Sequence, residues 1–593
     1  MPVLEEEKKG LARHLGLWET LSIGVGSTIG GSIFIILGDA AGLAGPAVVL
    51  AFALGALATL LMALNYSELA VSLPVSGGGY VFTREAVGGL ASFTTGWFLW
   101  IGNMLYAAMN ALGFALIVSL YVPWLDPVLV AEAVLALFCY LNVRGIRETG
   151  RVQLFLTALL VAGLVGFSLA SLTSWDPSAL TRPSFMPKGM RGVLAATGFA
   201  FVAYWGFESI ATIGGEVREP EKVIPAACLL AVLASGAIYV LVSLASIGLV
   251  GWELLAESET PLVLVGRALL GPAGELLMSL LGAIATLTSL NAALLSAARI
   301  SYALARDGLL PGVFGVVHGK FRTPHRAVML SAFISGLFAL SGLVWFLAGA
   351  ASFGFLMGLL AVNLSIIFLR RKRRYLPREF KVPAYPLTPI LAVAISLSLL
   401  AFMSHIVLAL GVAVAVIGTL VFLFDLATPR TRESAIGGFS FASSLAVLFL
   451  LYLTDIIICL PAPRASLKTL FYAGATVQMA ASLICAVPLG EIFLHVARPL
   501  GAVEEPGVSM PGRAVRAVKA VEVAMGIAQL VLAGLAAFSI YGAVGGFVAF
   551  PGIPALYYWP GTAIACITLA FFSLANTVCG FTLMRRRYVP PIS

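Results

Sequence analysis

Long apolar runs separated by short polar or basic loops recur from residue 17 to residue 584. Each run approaches or exceeds the roughly 20 residues that a helix needs to cross the hydrocarbon core of a bilayer. Segmentation places sixteen spans at about 17–38, 43–65, 92–121, 127–143, 151–173, 191–215, 225–251, 270–303, 326–344, 346–369, 386–404, 406–425, 437–460, 469–497, 519–547 and 558–584. Strands of a membrane barrel would alternate apolar and polar residues over about ten positions, and no such alternation is present. The pattern predicts an all-α polytopic membrane protein with about sixteen transmembrane helices.

Two spans break the pattern from within. The first contains VGSTIGGSIFIILG at residues 25–38, with Gly26, Ser27, Thr28, Gly30, Gly31 and Ser32 at mid-depth. Backbone that leaves the helix inside hydrocarbon is tolerated only where it lines a cavity or is buried in protein. A broken helix offers an N-terminal dipole end to an anion and a carbonyl end to a cation. An amino acid's carboxylate and ammonium form such a pair. Five spans later, residues 198–225 read GFAFVAYWGFESIATIGGEVREPEKVIP, with Gly206 mid-span and an ionisable Glu208 beside it. An acid at that depth is costly unless it meets a polar pathway or a partner. Small residues also suit close helix packing, but two such segments at matching positions favour paired breaks. Because five is odd, the halves 17–173 and 191–369 are expected to be inverted repeats.

Charge then orients the chain. Only 11% of residues are charged and 60% are hydrophobic, and the net charge is +8. Soluble domains carry nearer 25% charged residues. Of the 36 Lys and Arg, only Arg182, Lys188, Arg191, Arg267, Arg464 and Lys468 fall in loops on one side of the segmentation. The rest, including Arg370–Arg374 and Arg585–Arg587, fall on the other. That asymmetry is the positive-inside pattern, so the basicity reflects topology and not nucleic acid. It predicts cytoplasmic N- and C-termini and a multi-pass protein of the cell membrane. The charged segment 1–16 lacks a cleavage site and reads as a cytoplasmic N-terminal segment. The six cysteines are scattered singly, as are the five histidines. With no clustered nucleophile and base, metal set or phosphate loop, the chain is not expected to be an enzyme.

In these residues the chain resembles the amino acid–polyamine–organocation permeases, with the look of the cationic amino acid transporter branch. GVGSTIGGSIFIILGDAAGLAGPA resembles that family's first helix, and LPVSGGGYVFTREAVGG (73–89) its loop after the second. GFESIATIGGEVREPEKVIPAA resembles the sixth helix and the loop behind it, while ARDGLLP (305–311) and RTPHRAV (322–328) resemble the loop after the eighth. The resemblance covers about residues 11–425. It implies a five-plus-five inverted-repeat core with alternating access, followed by helices eleven and twelve at 386–425. It further implies that amides at Thr28, Gly31 and Ser32 hold a substrate carboxylate, and carbonyls of Val202 and Trp205 the ammonium. Ser32 stands where the family usually has glycine, and its Cβ and hydroxyl either crowd or assist the carboxylate.

The substrate-binding set expected around the breaks is Ser27, Thr28, Gly30, Gly31, Ser32, Asn103, Tyr106, Val202, Tyr204, Trp205, Gly206 and Leu290, with Gly102, Asn110 and Asn291 as further lining. Glu208 and Phe201 are the coupling or gating candidates. Some proton-coupled relatives carry a lysine in helix five, where this chain has Leu160. Ala285-Thr286-Leu287-Thr288-Ser289 instead resembles the pattern with which sodium-coupled relatives hold the ion. Gly24, Ser27, Ala285, Thr288 and Ser289 thus form a candidate sodium site, hydroxyl and carbonyl oxygens being suited to a hard cation. Back-bonding of the two hydroxyls to their own helix is the alternative. No cofactor is expected beyond a coupling sodium ion or proton.

Apart from Glu208 no acid stands out in these spans to receive a cationic side chain. The reading is therefore ion-coupled symport of a neutral amino acid. The alternatives are an exchanger or facilitator, a cationic substrate, or a non-transporting amino-acid sensor. Residues 437–584 add about four spans, expected to be a packing, oligomerisation or regulatory module. The expected partners are a small amino acid and the lipid bilayer.

Overall fold

A glycine-rich, apolar chain in a membrane closes its backbone hydrogen bonds inside helices, and the fold follows from where those helices must stop. The structure is a computed structural model that describes residues 15–426, apart from 74–77, 146–149, 182–183, 213–216, 322, 374 and 377. The expected module at 437–584 lies outside the described residues. The chain divides into two units, Met1–Gly411 and Val412–Ser593.

The helices are α1 (Leu17–Thr28), α2 (Ser32–Ala44), α3 (Val48–Ser72), α4 (Gly78–Ala86), α5 (Gly89–Ser119), α6 (Pro127–Arg144), α7 (Gly150–Ser171), α8 (Gly189–Ala200), α9 (Glu208–Thr212), α10 (Pro220–Val250), α11 (Trp252–Glu257), α12 (Pro261–Arg306), α13 (His325–Ala339), α14 (Val344–Lys372), α15 (Leu387–Ala401) and α16 (His405–Leu426). No strand occurs among the described residues; a single parallel bridge pairs Leu15 with Val217. Among the described residues, eight helical stretches are long and apolar enough to cross a membrane. The protein is a multi-pass helical membrane protein.

Two of those stretches are too long for one crossing. The 46 residues of α12 would extend about 70 Å at 1.5 Å per residue, twice the hydrocarbon thickness. Gly271 interrupts them with φ 63° and ψ −144° ahead of Pro272. The helical run Ser32–Ser72 is likewise interrupted at Gly45, with φ 67° and Pro46 behind it. α3 continues past its expected end at 65, and α12 begins at Pro261 instead of 270, so the helices extend beyond the hydrophobic windows.

α5 packs along both α12 and α14, and α10 packs along α3 and α1. Short helices cover the ends. α11 lies on α2, and α4 lies on α9, so each covers the second half of a broken helix.

A cluster of ion pairs sits at one end of this unit. Glu68, at the end of α3, is 1% exposed and accepts from Arg370 Nε at 2.8 Å, Arg370 Nη2 at 2.5 Å and Val382 N at 2.7 Å. The Arg370 guanidinium lies 4.0 Å from the centroid of the Tyr385 ring. On α4, Tyr80 Oη and Arg84 Nη1 both donate to Asp307 Oδ2, at 2.5 and 2.6 Å, where α12 ends. Arg373 reaches Glu85 at 2.6 Å. These bonds tie α4 to the ends of α12 and α14.

Candidate functional site

The first break is made by the backbone of three residues. α1 ends at Thr28, whose Oγ1 donates to Gly24 O at 2.8 Å. Ile29 then turns with φ −79° and ψ 70°, and Gly30 N donates to Thr28 O at 2.9 Å. Those dihedrals with an i→i+2 bond make an inverse γ-turn. α2 restarts at Ser32, leaving Gly31 as its cap. The first amides of a restarted helix have no acceptor of their own and face any anion at that end.

The second break is longer. α8 stops at Ala200, a 3-10 turn covers Phe201–Tyr204, and Trp205 is extended at φ −71° and ψ 130°. Gly206 follows with φ 144°, and α9 restarts at Glu208. Ser352 on α14 patches the gap in both directions, accepting from Val202 N at 2.9 Å and donating to Phe199 O at 2.7 Å.

The two breaks touch. A Cβ on Gly206 would lie 2.4 Å from Ser27 C and 2.5 Å from Thr28 N, so the two backbones meet at a distance only glycine permits. Gly24 packs on Ile210 of α9 and Ala231 of α10. Tyr239 of α10, fully buried, places its hydroxyl 2.6 Å from Thr28 O and 2.9 Å from Ala203 O.

Hydroxyl groups gather on the restart of α2. Gly31 N donates to Ser289 Oγ at 3.3 Å, and Ser32 Oγ donates to Tyr106 Oη at 3.1 Å. The Ser32 hydroxyl is thus held by Tyr106. A Cβ on Gly30 would meet Ser289 Oγ at 1.7 Å and Tyr106 Oη at 3.0 Å, while one on Gly31 would meet Thr286 Cγ2 at 2.3 Å and Asn110 Oδ1 at 2.6 Å. Asn110 donates to Tyr106 O, and its buried Oδ1 has no partner among the described residues. The second break adds an aromatic wall. Trp205 stacks on Phe355 of α14 at 3.8 Å and 6°, and its Nε1 donates to Asn103 Oδ1 at 3.4 Å. Gly102 makes room for Phe355, whose ring a Cβ there would meet at 2.8 Å. Tyr204 Oη donates to Phe52 O at 2.6 Å, and Phe201 and Leu290 are fully buried.

The five residues of the candidate ion site divide. Ser289 stands at the first break, whereas Thr288 Oγ1 turns back to Ile284 O and Ala285 O at 2.9 and 3.0 Å. Ala285 is buried, Ser27 lies against Gly206, and Gly24 is occupied by Ile210. Thr286 and Ser289, three apart and hence on one helical face, both meet the restart, Ser289 through its hydroxyl and Thr286 through its methyl, because Thr286 Oγ1 donates to Gly282 O at 2.8 Å. Asn291 lies on another face, accepting from Asn142 of α6 at 2.9 Å. Val202 O accepts from Trp205 N at 3.2 Å. Glu208 is 3% exposed and lines a small cavity with Gly78, Gly79, Ser296 and Arg299, on the α4 side of the break.

Tyr239, Ser352, Phe355 and Thr286 were not legible as site residues. Each is one aromatic or hydroxyl side chain among many on apolar helices, and only the packing brings it to a break.

Residues 15–480 match the family described as amino acid permease. Similar proteins include the branched-chain amino acid permease BcaP of Bacillus subtilis, 30% identical over 66% of this chain and 88% of that protein. A methylthioribose transporter of the same organism is 29% identical over 66% of this chain and 89% of its own. The vacuolar cationic amino acid transporter 2 of Arabidopsis thaliana is 29% identical over 61% of this chain and 60% of its own.

Proposed function

Since the chain belongs to the amino acid permease family, we propose that it is a secondary transporter that carries a neutral, apolar amino acid by alternating access between two broken helices. The observation that carries this reading is the meeting of the breaks at Gly206 and Ser27–Thr28. A helix start suited to an anion and a carbonyl end suited to a cation then lie side by side.

In this reading the amides at the restart of α2, from Gly31 and Ser32, take the carboxylate, and Tyr106 and Ser289 donate hydroxyls beside it. The carbonyl end of the second break, around Val202 and Trp205, takes the ammonium. The side chain lies against Trp205, Phe355, Leu290 and Asn103. No acid stands among those residues, and Glu208 faces a different cavity together with Arg299. That distribution supports a neutral substrate over a cationic one, in line with the branched-chain relative.

The order of elements supports two inverted halves, 17–173 and 191–369. Each opens on a broken helix, and each has a short helix after its second span, α4 in one and α11 in the other, lying on the other half's broken helix. Arg84, Arg370 and Arg378 gather at the Glu68 end, which positive-inside logic makes cytoplasmic. The N- and C-termini are then cytoplasmic and the protein resides in the cell membrane. Coupling is to a cation, with Ser289 as the α12 hydroxyl at the break. Leu160 leaves helix α7 without a fixed ammonium at that position.

Uptake of labelled amino acids into proteoliposomes, under separate sodium and proton gradients, tests the reading. Gradient-driven accumulation of a branched neutral amino acid supports it. Transport only by exchange against preloaded amino acid overturns the coupling, preference for lysine or arginine overturns the neutral substrate, and binding without transport makes the protein a sensor.

A further inference from the structure

We propose that Tyr239 is a positioning residue that couples the two breaks, an inference that rests on the transport reading above. Its ring is locked from two sides, edge-on to Tyr204 at 5.2 Å and tilted against Phe52 at 5.8 Å. That packing aims one hydroxyl at two carbonyls, Thr28 O at 2.6 Å and Ala203 O at 2.9 Å. Thr28 is the last residue of α1, and Ala203 lies in the unwound segment between α8 and α9. A phenol has one proton to donate. The two carbonyls therefore share one phenol proton, supplied by a helix that belongs to neither break, and Thr28 O also accepts from Gly30 N at 2.9 Å within the first break.

This sharing has a consequence for movement. In the membrane interior a carbonyl without a donor is costly. If α1 swings away from the second break and the hydroxyl follows Thr28, Ala203 O loses this donor, whereas Thr28 O keeps its bond from Gly30 N in either case. The halves consequently hold position together until another donor arrives. A substrate ammonium, which brings three donors, is such a group. Tyr239 thus holds both carbonyl ends in register while the site is empty and yields one of them when the ammonium binds. It touches the substrate's partners and not the substrate.

Tyr239→Phe keeps the ring and removes the donor. Hydrogen–deuterium exchange on the full-length protein in lipid nanodiscs reads the coupling without any transport. Exchange should rise by about fivefold, the worth of one hydrogen bond, in both 26–31 and 201–207, with the ends of α10 unchanged. In proteoliposomes the KM for a branched neutral amino acid should rise about tenfold, because the binding-ready arrangement is less populated, while the maximal rate stays within about threefold. Para-aminophenylalanine at position 239 restores a donor and should restore both readouts, which a purely space-filling role would not require. Where the Phe variant lowers the yield of folded protein, 4-fluorophenylalanine, close to tyrosine in size but unable to donate, replaces it. A rise in one segment only, a rise in neither, or a coupled rise with unchanged KM overturns the proposal. If the wild-type protein moves no amino acid, the transport reading fails, and the exchange experiment still decides the coupling.

Discussion

The amide of Gly31 donates to the hydroxyl of Ser289 across 3.3 Å, joining positions 258 residues apart in the chain. Gly30 lies so close to the same side chain that an added Cβ would overlap Ser289 Oγ at 1.7 Å. Gly30→Ala should therefore lower uptake by at least about tenfold, since overpacking a rigid site costs 1–3 kcal/mol. Combining it with Ser289→Gly removes the overlapping atoms and should recover part of the loss. Uptake by the single variant equal to wild type would refute the contact.

Gly206 combines a positive φ with a backbone neighbour that cannot move aside. Gly206→Ala should separate the breaks and destabilise the protein by about 2–4 kcal/mol, combining backbone strain with overpacking. Thermal unfolding in detergent measures it. An unchanged midpoint would mean that the two backbones are not in contact.

The Trp205–Phe355 stack closes one side of the proposed pocket. Phe355→Ala should enlarge it, weakening a small neutral substrate and admitting a bulkier aromatic one. A competition series from alanine to tryptophan reads the change. Identical competition profiles would place the side-chain pocket elsewhere.

Glu68 is buried and its charge is answered chiefly by Arg370. Arg370→Leu leaves the buried carboxylate with only the Val382 amide and the more distant Arg378, 3.7 Å away, and should cost about 3 kcal/mol. The double variant Glu68→Leu, Arg370→Leu should be the more stable of the two. If the double variant is worse than the single one, the ion pair contributes more than the desolvation it offsets.

Tyr80 is held neutral by its surroundings. Burial, and then the hydrogen bond to Asp307, push its phenol above the ordinary range. A raised pKa stabilises the fold at pH values below the unfolded pKa of about 10, and that contribution fades as pH rises toward the folded pKa. Tyr80→Phe should thus be less stable than wild type at pH 8 by about 1 kcal/mol. The difference should shrink above about pH 10, in unfolding curves taken across that range. A constant difference would rule out the linkage.

Much of the fold was legible because membrane helices announce themselves in one dimension. The runs that became α3, α5, α6, α7, α10 and α14 are set by apolar length alone, and the first break by glycines and hydroxyls where a simple anchor would have none. The second break was signalled by Gly206 and Glu208. Which hydroxyl of α12 serves the site was not legible. Thr286, Thr288 and Ser289 are chemically alike in sequence, and a rotation of 100° per residue decides which face the restart of α2. The structure turns the hydroxyls of Thr286 and Thr288 back onto their own helix and presents that of Ser289.

Over the described residues, the sequence by itself determined that the chain spans a membrane, roughly where its helices run and where two of them break, because burying backbone in hydrocarbon leaves few alternatives. Tertiary structure decided what the breaks face. Tyr239 between Thr28 and Ala203, Ser352 across the second gap and Phe355 on Trp205 come from other helices. Their roles depend on helix rotation and depth. Those are set by packing complementarity between whole surfaces, which no local pattern of residues encodes.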